Sequence, residues 1–333
     1  MKNGKGTHKD RGELFIILDA NSIMHRSFHA MPPLTTRDGE LVNAVYGFAS
    51  ILMTILLEEE PAYIATAFDT AAPTFRHKEY KEYKAGRTKA PDEFYAQIPR
   101  IVEIVKTLNI PIFRQDGVEA DDIIGTIVTT NEKDHPELHN KIVTSDMDAM
   151  QLVTKKTCVG NLHKGYKASK CFYPDDVIEK YGIRPDQVID YKAIQGDNSD
   201  NIPGVKGIGK VGALNLLTEY GSLDGVYEHL DEIKGKKQEY LRDQKEQAYF
   251  SQMLATIKCD VELDYQLENA KAHDFDAAKV VKLFDSLQFF SLIRRLKTWQ
   301  KSHGIATDEL TAIFGEEKKP SKKAPSKDQA SLF

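Results

Sequence analysis

Asp19 closes a short apolar run, ELFIILDAN, and Asp69 closes a second, AYIATAFDT. Asp146 and Asp148 follow a third, KIVTSDMD. Glu119, Asp121 and Asp122 stand together in GVEADD, and Asp197 and Asp200 open the stretch IQGDNSDNIPGVKGIGKVG at helical i, i+3 spacing, which would point both the same way. Gathered at one place, these nine carboxylates would repel one another, and several would take up protons unless cations lay among them. Oxygen-only ligands favour Mg2+ or Mn2+ over zinc. There are more acids than one hydrated ion can use, so the set points to two divalent ions and to phosphodiester hydrolysis. Acids favoured at a helix N-terminus would account for one or two residues of GVEADD, but not for three beside six others.

Beyond Asp200 the chain runs into Pro203, Gly204, Gly207, Gly209 and Gly212. A helix pair joined by so glycine-rich a turn can bring backbone N–H groups against a phosphate, with Lys206 and Lys210 adding charge beside it. A plain glycine-rich loop capped by aspartates fits the same residues. The segment TFRHKEYKEYKAGRTKAPDEF carries Arg76, Tyr80, Tyr83, Lys84 and Arg87 at three- and four-residue steps, with Lys78 among them. On one helical face these would neutralise phosphates while a tyrosine stacked on an unpaired base. A solvated charged helix is the alternative, and the position directly after Asp69 favours the functional reading.

Three apolar runs that each deliver acid at the C-terminal end imply strands of an open parallel α/β sheet, whose ligand site lies beyond those ends. Helical patterns at about 43–59, 93–108 and 120–131 supply crossovers. After residue 212 the chain reads as helices, the last a single long one over 278–296. The 333 residues are 41% hydrophobic and carry a net charge of −5, but with nine acids set aside the remaining surface is net positive, so a DNA partner is not excluded. Cys158, Cys171 and Cys259 show no paired spacing, which fits isolated thiols in a reducing cytosol. The ten histidines show no ligand spacing and read as structural or surface groups. The N-terminus has no apolar signal region and no run is long enough to span a membrane, so a soluble cytoplasmic protein, a monomer, is expected.

The stretches LDANSIMHRSFHA, GELVNAVYGF, FDTAAPTFRHKEYKEYKAGR, GVEADD, TSDMD and GDNSDNIPGVKGIGKVGA resemble, in order, the 5′-nuclease or flap-endonuclease family, and in particular the 5′→3′ exonuclease domain of bacterial DNA polymerase I. The resemblance covers roughly residues 14–296. It implies a PIN-like α/β catalytic domain over 13–185 with a central, mainly parallel sheet and a helical arch at about 74–94. A helix–three-turn–helix and C-terminal helical region would follow over 186–300, with tails at 1–12 and 301–333.

The resemblance also implies residue roles. Asp19, Asp69, Glu119 and Asp121 match a first metal group with Asp122 beside it; Asp146, Asp148, Asp197 and Asp200 match a second. Tyr83, Lys84 and Arg87 match a motif that engages the scissile phosphate, and Arg26 a basic residue near it. Arg76, Lys78, Tyr80, Gly204, Lys206, Gly207, Gly209 and Lys210 are expected on DNA, with K+ at the Gly204–Gly209 turn. No proofreading or polymerase domain follows, so a stand-alone nuclease is expected. The terminal QASLF, with Gln329, Leu332 and Phe333, resembles the pentapeptide that binds the bacterial sliding clamp. The implied function is Mg2+-dependent 5′→3′ exonuclease and flap endonuclease action on flaps and RNA-primed 5′ ends in replication and repair. A non-catalytic junction-binding protein is the alternative.

Overall fold

Strand β1 (Leu14–Asp19) is buried along five of its six residues, as a strand covered on both faces must be. It is central in a sheet completed by β2 (Tyr63–Ala67), β3 (Ile112–Phe113), β4 (His139–Thr144), β5 (Thr157–Asn161) and β6 (Cys171–Phe172). A computed structural model describes residues 13–162, 166 and 170–305. The strand order is β3-β2-β1-β4-β5-β6, parallel throughout except that β6 runs antiparallel to β5. The chain winds outward from β1 through β2 to β3, then returns to start again at β4 on the other side of β1. The two directions part between β1 and β4, and a crevice opens there at the strands' C-terminal ends.

The helices of the first half are α1 (Ala20–Ala30), α2 (Asn43–Thr54, continued as a π-type turn to Glu59), the short α3 (Phe75–Glu79) and α4 (Asp92–Tyr95), α5 (Ile98–Thr107) and α6 (Ala120–Asp134). Helix α6 lays Ile123, Ile124 and Ile127 on the sheet face that carries Phe15, Ile17 and Ile142. Next come α7 (Pro174–Tyr181), α8 (Val188–Gln195), α9 (Lys210–Tyr220), α10 (Leu223–Glu228), α11 (Lys236–Asp243) and α12 (Lys245–Ala255). Ile194, Leu217 and Leu241 belong to the same apolar cluster as Phe15 and Ile17, so one core runs through the sheet and this helical part. A compact unit ends at Asp276. The second unit holds α13 (Ala277–Ser286) and α14 (Phe290–Ser302), where one helix was expected; the chain breaks at Gln288, which is left-handed (φ 61°), and Phe284 meets Phe289 at 6.1 Å between ring centroids.

Three expectations change. Cys158 and Cys171 are joined in a disulfide, where unpaired thiols were expected. Pairing of β5 with β6 puts Gly160 opposite Cys171 and brings the two cysteines' Cα atoms to 5.8 Å, within bonding range. Residues 74–94 do not form one helical face: α3 stops at Tyr80, Lys84 is left-handed (φ 57°), and the chain stays non-helical up to Pro91. Asp197 and Asp200 are not on a helix either. Residues 197–202 form a loop closed by mutual backbone hydrogen bonds between Asp197 and Ile202 (2.9 and 2.8 Å), so the two carboxylates diverge.

The turns joining α8 to α9 give the helix–three-turn–helix. Gly204 is obligatory there: its φ is +61°, and a Cβ would stand 2.3 Å from the Gly196 nitrogen. The tail expected from residue 301 starts later, since α14 runs to Ser302, and residues 1–12 and 306–333, including Gln329, Leu332 and Phe333, lie outside the described residues. Among the described residues no helix is long and apolar enough to cross a membrane.

Candidate active site

The crevice between β1 and β4 widens into an open cavity of about 840 Å³. Seven of the nine acids line it: Asp19, Asp69, Glu119, Asp121, Asp146, Asp148 and Asp197. Five of them are placed by strand ends, a helix start and the contacts these make. Asp19 ends β1 and caps α1, accepting from the Ser22 backbone at 2.9 Å, while its other oxygen accepts from Thr144 Oγ1 at the tip of β4 (2.7 Å). Asp69, just past β2, accepts from the Ala120 backbone at 2.8 Å and so ties its strand to the start of α6. Glu119 is the residue before that helix and Asp121 lies in its first turn. Asp146 turns the chain after β4, accepting from the Asp148 backbone at 2.8 Å.

Seven carboxylates face three cations in the cavity wall, Lys84, Arg87 and Lys192, an excess of four negative charges. Burial, with the charges of Asp69 and Asp146 adding to it, pushes the Asp19 carboxyl up to about 7 against its Ser22 and Thr144 hydrogen bonds. Asp121 is raised well above the usual carboxylate range by burial and then by Asp146 and Asp19. Asp146 is also raised by burial, with Lys192 opposing. Asp197 moves the other way: burial acts against it, but the Lys192 ammonium and hydrogen bonds from Ser199 outweigh that and hold it at about 2.

Lys192 was missed by sequence reasoning. It rises from α8 into the cavity wall, is buried, and bonds both Asp148 and Asp197, the latter at 2.5 Å. The available signal was a lone lysine in an otherwise buried helix, VIDYKAIQ, five residues before an acid. His25, taken for a structural or surface residue, also lines the cavity and stacks on Phe94 at 4.2 Å between centroids. Among the described residues no three acid, imidazole or thiol groups stand in chelating positions as they are; lysines occupy the acids instead, with Lys84 Nζ 3.0 Å from Glu119.

Two expected metal ligands point elsewhere. Asp122 is fully buried away from the cavity, where both its oxygens accept from Arg76 at 2.8 Å. Arg76 is therefore a buried ion-pair residue and no DNA contact. Asp200 is also buried: it binds Arg87 at 2.5 Å and shares with Glu119 the Tyr83 hydroxyl, 3.1 and 3.2 Å away. Tyr83 is only 4% exposed, so its ring is not free to stack on a base. Burial and these two carboxylates push its phenol far up. Tyr80 packs edge-on against Phe250 of α12 (5.6 Å). Lys78 is exposed, as are Lys206, Gly207, Gly209 and Lys210 around the turn, whereas Gly204 is buried beneath it. Arg26, partly buried on α1, does not line the cavity.

A mainly parallel sheet with carboxylates at its switch point, joined to a helix–three-turn–helix, defines the PIN-like, resolvase-like class of nuclease fold. The chain belongs to the 5′-3′ exonuclease family: the model of that family's N-terminal resolvase-like domain matches residues 14–182, and that of its C-terminal SAM fold matches residues 183–278. Among curated relatives it is 42% identical over 283 residues to DNA polymerase I of Caldicellulosiruptor bescii, covering 84% of this chain and 33% of the polymerase. It is 42% identical over 282 residues to that of Bacillus subtilis, covering 84% and 32%. The chain thus spans about a third of the length of these relatives. Among solved structures the fold is similar to a bacteriophage T5 5′-exonuclease with bound zinc (TM-score 0.61, 21% identity, 87% of this chain and 99% of the other). It is also similar to the catalytic core of Rad2 in complex with DNA substrate (TM-score 0.58, 16% identity, 87% and 94%).

Proposed function

We propose that this chain is a divalent-metal-dependent 5′→3′ exonuclease and 5′-flap endonuclease that hydrolyses phosphodiester bonds in primer removal and DNA repair. The observation that carries the reading is the convergence of seven carboxylates from the tips of β1, β2 and β4, the start of α6 and the turn after α8 on one solvent-open cavity. The donor set fits divalent ions. It is all oxygen, it holds an excess of negative charge, and burial, with neighbouring carboxylates adding to it, already drives Asp19 and Asp121 toward protonation. Asp19, Asp69, Glu119 and Asp121 would hold one Mg2+ or Mn2+ ion, and Asp146, Asp148 and Asp197 a second. When bound, such a pair supplies Lewis-acid activation of water and neutralises charge on the phosphate.

The chain's own residues do the rest. Lys84 and Arg87, in the cavity wall, offset charge that develops on the scissile phosphate. Both are free to do so only if they leave Glu119 and Asp200, so the phosphate competes with these acids for them. Tyr83 and Asp200 hold the loop that carries the two cations against the turn after α8, since the Lys84 backbone donates to the Asp200 carbonyl at 3.0 Å. Lys206 and Lys210, with the backbone of the exposed Gly207 and Gly209, would grip a duplex backbone; a K+ ion in the same turn is supported by the resemblance alone.

A 5′-labelled flap duplex incubated with Mg2+ should yield short 5′ products that EDTA abolishes. No product at any Mg2+ or Mn2+ concentration would overturn the enzyme reading and leave a junction-binding protein. The QASLF reading rests on the sequence of the tail. Deleting residues 329–333 should leave flap cleavage unchanged and remove binding to a purified bacterial sliding clamp in a calorimetric titration. Undiminished clamp binding by the truncated chain would dispose of the motif.

A further inference from the structure

Helix α12 touches the glycine turn along its length and the cavity-bearing elements at its end. Near its start, Gln244 brackets Lys206, accepting from its backbone nitrogen at 2.7 Å and donating to its carbonyl at 3.0 Å. Gln247 donates to the Gly204 carbonyl at 2.6 Å, and the buried Ser251 hydroxyl accepts from the Gly204 nitrogen at 3.1 Å. At the other end, the final carbonyls have no partner within the helix and must find one outside it. Arg76 provides it: Nε donates to the Leu254 carbonyl at 2.8 Å and the guanidinium to that of Thr256 at 2.6 Å. The same guanidinium makes the paired bonds to Asp122 and stands 3.4 Å from Glu119. Asp122 in turn accepts from the Lys258 backbone at 2.9 Å, just past the helix. On the Asp148 side, Gln151 donates to the Ala255 carbonyl at 3.1 Å and accepts from the Ile257 nitrogen at 2.9 Å.

We infer that Arg76 is a positioning residue that couples occupancy of the Gly204–Lys206 turn by duplex to the placement of Glu119, with α12 as the strut between them. The inference rests on the nuclease reading above. Arg76 is 2% exposed and Asp122 1%, so neither reaches DNA. A buried pair of this kind contributes little net stability, because desolvation offsets the attraction. Its geometry is instead specific. Only a planar fork with five donors can satisfy a carboxylate in bidentate fashion and two helix-terminal carbonyls at once, and lysine cannot. A displacement of α12 therefore reaches Asp122 and Glu119 through contacts that have no slack.

Turnover at saturating substrate is to be measured with Mg2+ on a 5′-flap duplex and on a single strand of the same 5′ sequence, which leaves the turn unfilled. The wild-type chain should favour the flap duplex. Arg76→Lys should lower the duplex rate by roughly 10- to 100-fold, the usual cost of losing a group that orients a metal ligand, while nearly sparing the single-strand rate. Gln247→Leu, which cuts the strut at its other end without touching the ion pair, should compress the same ratio. It keeps the test open if Arg76→Lys does not fold. Equal proportional losses on both substrates, or a wild-type chain with no duplex preference, would overturn the coupling. A wild-type chain that cleaves neither substrate would instead overturn the nuclease reading on which it rests.

Discussion

Asp146→Asn should reduce flap cleavage by on the order of a thousandfold, the scale on which losing one group that handles transition-state charge slows an enzyme. It should leave flap binding intact or tighter. The substitution changes charge and little else. Asp146 accepts from the Asp148 backbone at 2.8 Å, and an asparagine oxygen can keep that bond, so the turn after β4 is preserved. Burial disfavours the ionised form here while Lys192 favours it, so neutralisation relieves a desolvation cost as it removes an attraction. The cavity, in contrast, loses one of its seven negative charges and with it part of its hold on a divalent ion. One like charge facing the phosphate also disappears, which is why binding should not suffer. Turnover within a few-fold of wild type would remove Asp146 from the catalytic set.

The second large effect is on stability. Lys192→Met should destabilise the metal-free protein by about 3 to 5 kcal/mol, the cost of leaving buried carboxylates without their partner. Lys192 is 8% exposed at its side chain, with Asp148 and Asp197 at 11% and 15%. Methionine matches the length of the lysine stem, so packing within α8 is retained and the loss is mainly electrostatic. Mg2+ should restore most of the stability, because a divalent ion among Asp146, Asp148 and Asp197 supplies the charge that the ammonium gave. Urea unfolding in EDTA and in Mg2+ decides the matter. A variant equally destabilised in both would mean that Lys192 is a structural clamp and that these acids do not take up an ion.

Much of the fold and of the site is determined locally and so could be read in the chain. An apolar run followed by an acid means a buried strand with a carboxylate at its tip, whatever surrounds it, and Asp19, Asp69 and Asp146 arrive where that rule puts them. The glycines after residue 203 likewise announce a turn, and Gly204 packs too closely on Gly196 for any side chain. What periodicity could not reveal was which way a side chain turns once two segments meet. Asp122 differs from Asp121 by one position, about 100° around α6; that rotation sends one acid to the cavity and the other to Arg76. Arg76, Tyr80 and Tyr83 carry the composition of a DNA-binding face, yet the chain leaves the helix at Tyr80, Arg76 and Tyr83 are buried, and Tyr80 packs on Phe250 of α12. Asp197 and Asp200 share a motif, but the bridge between Asp197 and Ile202 separates them. Lys192 reaches Asp148, and Cys158 its partner, through contacts across 44 and 13 residues of sequence, and only the packed chain brings those pairs together. The sequence by itself thus determined three of the strands, their acids and the glycine turn, because backbone sterics and burial act within a few residues. Tertiary structure decided which charges face solvent and which face each other, because an electrostatic partner is chosen by distance in space.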